Sequence, residues 1–142
     1  MKTSSAKDKG RELEKWVVQR LKEKGLDDRA IRTPGSGNGL DKGDVANNLG
    51  WNIECKNWKV PDISTWMKQS LKDAGLHQKP LIVWHPAKVP LGNSLAILYA
   101  EDFLDLVIKS RMPKDFGNQR ELSYKFRRLI TDLKSILKEL EI

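Results

Sequence analysis

Apolar residues recur at three- and four-residue steps between about residues 10 and 25, at Leu13, Trp16, Val17 and Leu21, and Gly25 follows as a stop. This spacing predicts an amphipathic helix ended by a residue suited to a left-handed cap. Ile31 and Arg32 make a short extended piece ahead of Pro34 and the loop Gly35-Ser36-Gly37-Asn38-Gly39. Two strands are predicted next, at about 43–48 and 51–57, with Asn47-Asn48-Leu49-Gly50 as the turn between them. Residues 64–76 read as a second helix, with Ser64 or Asp62 as its N-cap and Gly75 near its end. The run Leu81-Ile82-Val83-Trp84 marks a buried strand over 80–85, and residues 94–99 form another. A short helix at 101–109 and a loop containing Pro113 and Gly117 lead to a long final helix, 119–141. That helix carries one apolar stripe: Leu122, Phe126, Leu129, Ile130, Leu133, Ile136, Leu137 and Leu140. The order of elements predicts an α/β fold, a mixed β-sheet flanked by helices, in one domain over 1–142 with a polar, frayed stretch at 1–9. There is no internal repeat and no low-complexity tract.

Composition narrows the function. Lys and Arg number 26 against 19 Asp and Glu, a net charge of +7. Such an excess favours a polyanionic partner, most often nucleic acid. The single cysteine, Cys55, excludes a disulfide framework and a CxxC metal knuckle, and suits a reducing compartment such as the cytoplasm. No apolar run is long enough to span a bilayer, so no membrane partner is expected. No apolar core follows Met1-Lys2-Thr3-Ser4-Ser5, so the start does not read as a secretory signal.

The chemistry concentrates around the predicted strand pair. Side chains alternate along a strand, so Trp51, Ile53 and Cys55 share one face and Asn52, Glu54 and Lys56 the other. The hairpin returns Asp44 towards Glu54. Two carboxylates on adjacent strands, the backbone carbonyl of Cys55 and open positions for water and phosphate suit a hard divalent cation such as Mg²⁺, and Mn²⁺ fits the same oxygens. Lys56 could orient or deprotonate an attacking water, or stabilise charge on a phosphorane-like transition state. The plain alternative is an exposed Glu–Lys pair on a half-solvated strand. A second acid-x-Lys triplet, Asp132-Leu133-Lys134, falls within a predicted helix, where positions two apart do not share a face.

Other candidates carry less. Glu14 lies in the middle of the first helix beside the equally acidic Glu12, and composition does not choose between them. Arg32 and Ser36 flank the glycine loop and could contact a DNA backbone, although a flexible hairpin tip explains the glycines as well. The loop lacks the Gly-Lys-Ser/Thr ending of a nucleotide P-loop. Gln69 could reach the site from the second helix, or be a plain surface residue. Trp58 and Trp66 could stack on bases if exposed; most tryptophans here are expected in the core. His77 and His85 are eight apart with no cysteine partners, so no zinc site or Cys–His nucleophile is expected. The final stripe reads as core packing, and the helix is also long enough to carry a dimer contact.

With these residues named, the sequence resembles the PD-(D/E)xK nuclease superfamily, and within it the archaeal-type Holliday junction resolvases, which some phages also carry. The resemblance covers about residues 7–86. Its pieces are Gly10-Arg11-Glu12-Leu13-Glu14 opening the first helix, Arg32-Thr33-Pro34-Gly35-Ser36, Asp44 heading the second strand, and Ile53-Glu54-Cys55-Lys56. It implies a restriction-endonuclease-like fold, Asp44 and Glu54 as metal ligands, Lys56 as the catalytic lysine, and Glu14, chosen over Glu12 by its spacing from Gly10 and Gly25, reaching a metal or bridging water. It further implies Ser36 near the scissile phosphate, Arg32 as a DNA contact, and a homodimer making paired nicks in four-way DNA during recombination or repair. Three departures stand out: Gly43 rather than proline precedes Asp44, two residues are inserted between Gly25 and Arg32, and the C-terminal helix is longer than the family's. A restriction, repair or flap nuclease on the same fold, and a basic DNA-binding protein without activity, are the other readings.

Overall fold

A computed structural model of the chain describes residues 5–33, 43–111 and 119–140. The chain divides into two compact units, Met1–Phe103 and Leu104–Ile142.

The first helix, α1 (Ala6–Glu23), starts four residues ahead of its apolar pattern. Its start is set by a cap: Ser5 Oγ accepts from the Asp8 amide at 3.3 Å, and the Asp8 carboxylate accepts from the Ser5 amide at 3.2 Å. This reciprocal pair satisfies two otherwise orphaned amides, so residues 6–9 are helical with no apolar side chain larger than that of Ala6. At the other end Gly25 takes φ +65°, with the Gly25 amide donating to the Lys22 carbonyl and the Leu26 amide to the Leu21 carbonyl. These are the two bonds of a Schellman ending.

A five-stranded sheet follows in the order β1 (Ile31–Arg32), β2 (Val45–Ala46), β3 (Trp51–Lys56), β4 (Lys79–Trp84) and β5 (Leu95–Ile97). Only the β3–β4 pairing is parallel, so the sheet is mixed. The β2 strand is much shorter than the predicted 43–48. Asn47 takes over from backbone pairing there: its Nδ2 donates to the Val45 and Trp51 carbonyls, and its Oδ1 accepts from the Leu49 amide. Gly50 turns the chain at φ +81°. Asp27 is buried and ties this turn to the end of α1, accepting from the Arg29 and Asn48 amides. Pro80 sits near the start of β4, ahead of the Ile82–Trp84 stretch that pairs with β5. A residue without an N–H is tolerated at that position.

The parallel pair is joined by α2 (Ile63–Asp73), capped by Asp62, whose carboxylate accepts from the Thr65 amide at 3.2 Å. This helix stops three residues short of Leu76, where Ala74 turns extended and Gln78 accepts from the Gly75 amide. The helices take opposite faces of the sheet. Leu13 and Val17 of α1 pack on Val45, Ile53 and Cys55. Trp66 and Met67 of α2 pack on Ile82, with Trp84 and Ile97 at the margin. Burying an aliphatic side chain such as Leu13 contributes about 1.5–3 kcal/mol, and each face has its own small core.

After β5 come α3 (Ala100–Arg111) and α4 (Gln119–Leu140). From Ser123 to Leu140 every residue of α4 is exposed, including the whole described part of its apolar stripe. Among the described residues, the expectation that this stripe is core packing is not met within its own unit. Among the described residues no helix is long and apolar enough to cross a membrane.

Candidate active site

The site forms where β1, β2 and β3 run out of regular pairing. The last formal β2–β3 pair is Val45 with Ile53. Asp44 departs from the regular ladder, with its amide turned to β3 and its carbonyl to the β1 side. Its amide donates to the Ile53 carbonyl at 2.8 Å, and its carbonyl accepts from the Thr33 amide at 3.0 Å. Its carboxylate then does what a backbone carbonyl would do in a longer strand, with Oδ2 accepting from the Cys55 amide at 2.8 Å. Asp44 is thereby held from three sides, with its charge near enough to Glu54 to act on that carboxyl.

Glu54 and Lys56 share the face of β3 that also carries Asn52. Their side chains touch each other, with Lys56 Nζ 3.4 Å from Glu54 Oε2. Both are mostly buried, at 13% exposure for Glu54 and 25% for Lys56. Burial pushes the Glu54 carboxyl up to about 7, and the neighbouring Asp44 charge adds to the rise, against the opposing pull of Lys56. Two carboxylates thus sit close together with one lysine at the outer limit of contact. The amides of Ile53 and Cys55 and their carbonyls point towards β2, since the N–H and C=O of one strand residue face the same side. The Cys55 carbonyl therefore points past the end of β2, beside Asp44.

Of the expected set, Asp44 meets the Cys55 amide and Lys56 meets Glu54, and the Asp44 charge acts on the Glu54 carboxyl. Glu14 is held elsewhere. It accepts from Arg32, with Nε at 2.7 Å and Nη2 at 2.6 Å, both on Oε2. Arg32 shares its face with Val45 and Ile53, the face covered by α1. Among the described residues no three His, Cys, Asp or Glu side chains gather closely enough to hold a metal ion. Glu14 remains in electrostatic reach: it joins Asp44 and Glu54 in raising the Cys55 thiol, after burial, well above its usual value. Cys55 is a buried thiol, and only its backbone belongs to the site.

The donor set suits a hard cation in kind: two carboxylates and a strand carbonyl, with one lysine beside them. Asp44, Glu54 and the Cys55 carbonyl are the residues that would hold it. Thr33 Oγ1, on the residue paired with Asp44, is buried without a hydrogen-bond partner among the described residues. Ser36 and the glycine loop lie outside the described residues. Gln69 is on the exposed side of α2, where its Nε2 donates to Asp73 Oδ2 at 2.7 Å, so it is engaged within its own helix. Trp66 is buried, 6.4 Å from the Trp84 ring at 57°, and is excluded as a stacking surface; Trp58 is exposed.

Two supporting features escaped the sequence reading. Asn52 is buried, and its Nδ2 donates to the Ser70 carbonyl and hydroxyl oxygens while Ser70 Oγ–H donates back to the Asn52 carbonyl. This three-bond clasp fixes α2 to β3 two positions before Glu54. Gly43 is the second. A Cβ there would lie 2.6 Å from Asn52 Oδ1 and 2.8 Å from the Ile53 carbonyl oxygen. Only glycine lets the chain pass that close into Asp44.

The raised Glu54 carboxyl has a measurable consequence. A carboxyl near 7 in the folded chain and near 4.5 unfolded binds its proton more tightly when folded. It therefore lowers stability as pH rises through that window and has no effect below it. In metal-free buffer, the thermal midpoint of the wild type should fall relative to Glu54→Gln between about pH 4.5 and 7. Parallel pH profiles for the two proteins would show that Glu54 is not desolvated as described.

No protein-family model, curated protein or solved structure matches the chain.

Proposed function

We propose that the protein is a metal-dependent DNA endonuclease of the PD-(D/E)xK kind, with a restriction-endonuclease-like arrangement of sheet and helices, acting on four-way junctions as a homodimer. The observation that carries this reading is Asp44 locked against the Ile53 carbonyl and the Cys55 amide of β3, with Lys56 in contact with Glu54 on that strand. A divalent cation bound there supplies Lewis-acid polarisation of the phosphate and a more acidic water. The chain's own residues do the rest. Asp44 and Glu54 are fixed by the ladder before substrate arrives, which removes the cost of arranging them. Lys56, held beside Glu54, donates to a non-bridging phosphate oxygen or steadies the attacking water. The net charge of +7 draws the DNA backbone in.

Paired nicks need two sites related by a two-fold axis. The exposed stripe of α4 supports a second copy as its cover. Phe126, Ile130, Leu133, Leu137 and Leu140 follow alternating steps of four and three, the repeat of a helix seam. An isolated helix of this length gains most of its stability from packing such a face.

The test is cleavage of a four-way junction with and without Mg²⁺, wild type beside Glu54→Ala. Cleavage that requires the cation and disappears in the variant, with junction binding retained, supports the proposal. Cation-dependent cleavage that persists in Glu54→Ala refutes it. The same assay on linear and flapped DNA separates a junction resolvase from a restriction, repair or flap nuclease. The Glu14–Arg32 pair favours one other reading, a DNA-binding protein without activity, because it keeps a third carboxylate out of the cluster. That reading predicts no response to Mg²⁺.

A further inference from the structure

We infer that Trp58 is a stacking platform for an unpaired nucleobase beside the candidate catalytic residues. The inference deepens the nuclease reading and takes from it the position of the scissile phosphate. Of the five tryptophans, Trp58 alone is largely exposed, at 62%. An exposed indole on a floppy loop would mean little. Here the backbone beneath it is fixed.

Trp84 Nε1–H donates to the Trp58 carbonyl at 3.0 Å, and Trp84 is the β4 residue in register with Lys56. The His85 amide donates to the Lys56 carbonyl at 2.8 Å. Asn57, between them, reaches the Lys9 carbonyl at 3.3 Å and His85 Nδ1 at 3.4 Å. His85 Nε2 lies 2.8 Å from the Val89 carbonyl, which needs the proton on Nε2 and leaves Nδ1 to accept from Asn57. Trp84 is itself braced against the buried Trp66. The segment from Lys56 to Trp58 is therefore clamped by β4, by the residue after it and by α1, while the Trp58 ring projects into water.

Trp58 lies two positions beyond Lys56, a Cα separation of at most about 7 Å. A nucleotide whose phosphate meets Lys56 can thus place a neighbouring base on the indole. Lys59 follows directly and adds a second cation for the backbone. Basic side chains interleaved with an aromatic ring are the recognition chemistry of single-stranded nucleic acid, in which any base offers a π-face. A paired duplex keeps its bases stacked inside. The platform therefore favours DNA with unstacked bases over a flush duplex, the property a branch-selective enzyme needs.

The experiment titrates the full-length protein, in EDTA without Mg²⁺, with an oligothymidine of about twelve nucleotides and with a flush duplex. Intrinsic tryptophan emission and labelled-DNA anisotropy are followed together. Oligothymidine should quench the wild type. Trp58→Phe should lose most of that quenching yet keep its affinity within about three-fold, because a phenyl ring still stacks. Trp58→Ala should bind oligothymidine about ten-fold more weakly while its duplex affinity is little changed. The inference is overturned if quenching survives in Trp58→Phe, or if Trp58→Ala leaves both affinities intact or lowers them equally. The last outcome would assign the exposed indole to general packing or to a protein partner. Failure here is distinct from failure of the nuclease reading. Selective quenching without Mg²⁺-dependent cleavage would leave a nucleobase site without an enzyme, and Glu54-dependent cleavage without quenching would leave the enzyme without this platform.

Discussion

Asp44→Asn is expected to reduce Mg²⁺-supported cleavage of a four-way junction by about a thousand-fold, on the order of 4 kcal/mol of transition-state stabilisation. The amide keeps the shape of the carboxylate, and its Oδ1 can still accept from the Cys55 amide where Asp44 Oδ2 accepts at 2.8 Å. The tie to the Cys55 amide should therefore persist, and the thermal midpoint should move little or rise, because one of two neighbouring negative charges is gone. Loss of activity without loss of fold is the signature of a ligand. If the variant unfolds, Asp44 is primarily a structural cap on β3; if it cleaves normally, the acidic pair is not the reaction centre. Gel-based single-turnover cleavage beside a thermal melt reads both quantities.

The second large effect is expected at a residue with no side chain. Gly43→Ala places a methyl group 2.6 Å from Asn52 Oδ1, 2.8 Å from the Ile53 carbonyl oxygen and 3.1 Å from the Ile53 amide nitrogen. Neither neighbour can give way cheaply. The Ile53 atoms are backbone within β3, and the Asn52 amide is clasped by Ser70 on α2. Overpacking of this kind costs about 1–3 kcal/mol. The strain is relieved most easily by shifting residues 43–44 away from β3, which moves the Asp44 carboxylate off the Cys55 amide. The variant should melt several degrees lower and lose cleavage out of proportion to its unfolding. A melting temperature and cleavage rate equal to wild type would show that the close approach at Gly43 has no bearing on the site. The same geometry accounts for the absence of the proline that the resemblance would place at this position, since its Cβ would meet the same three atoms.

The face of β3 was legible because period-two alternation in Trp51-Asn52-Ile53-Glu54-Cys55-Lys56 is a local property of a strand, and the turn at Asn47–Gly50 set which residues come back opposite it. The core residues Leu13, Val17, Ile53 and Ile82 follow from the same two periodicities. The Glu14–Arg32 pair was not legible. It joins residues 18 apart across α1 and β1, and nothing local distinguishes an acid that meets a metal from one that meets an arginine. The early start of α1 was hidden because a capping box, not an apolar stripe, sets it. Asn52 and Ser70 looked like ordinary polar residues, since their burial depends on where α2 crosses the sheet. In α4 the pattern gave the helix and its stripe correctly, but periodicity does not say whether an apolar face is covered from within the chain.

The central claim is that Asp44 and Glu54 together hold a divalent cation. Calorimetric titration of metal-free protein with Mn²⁺, wild type beside Asp44→Asn, measures it without any DNA. The account predicts a saturable binding isotherm for the wild type and at least a ten-fold weaker one for the variant. Equal isotherms for the two proteins, or no binding by the wild type, would contradict it.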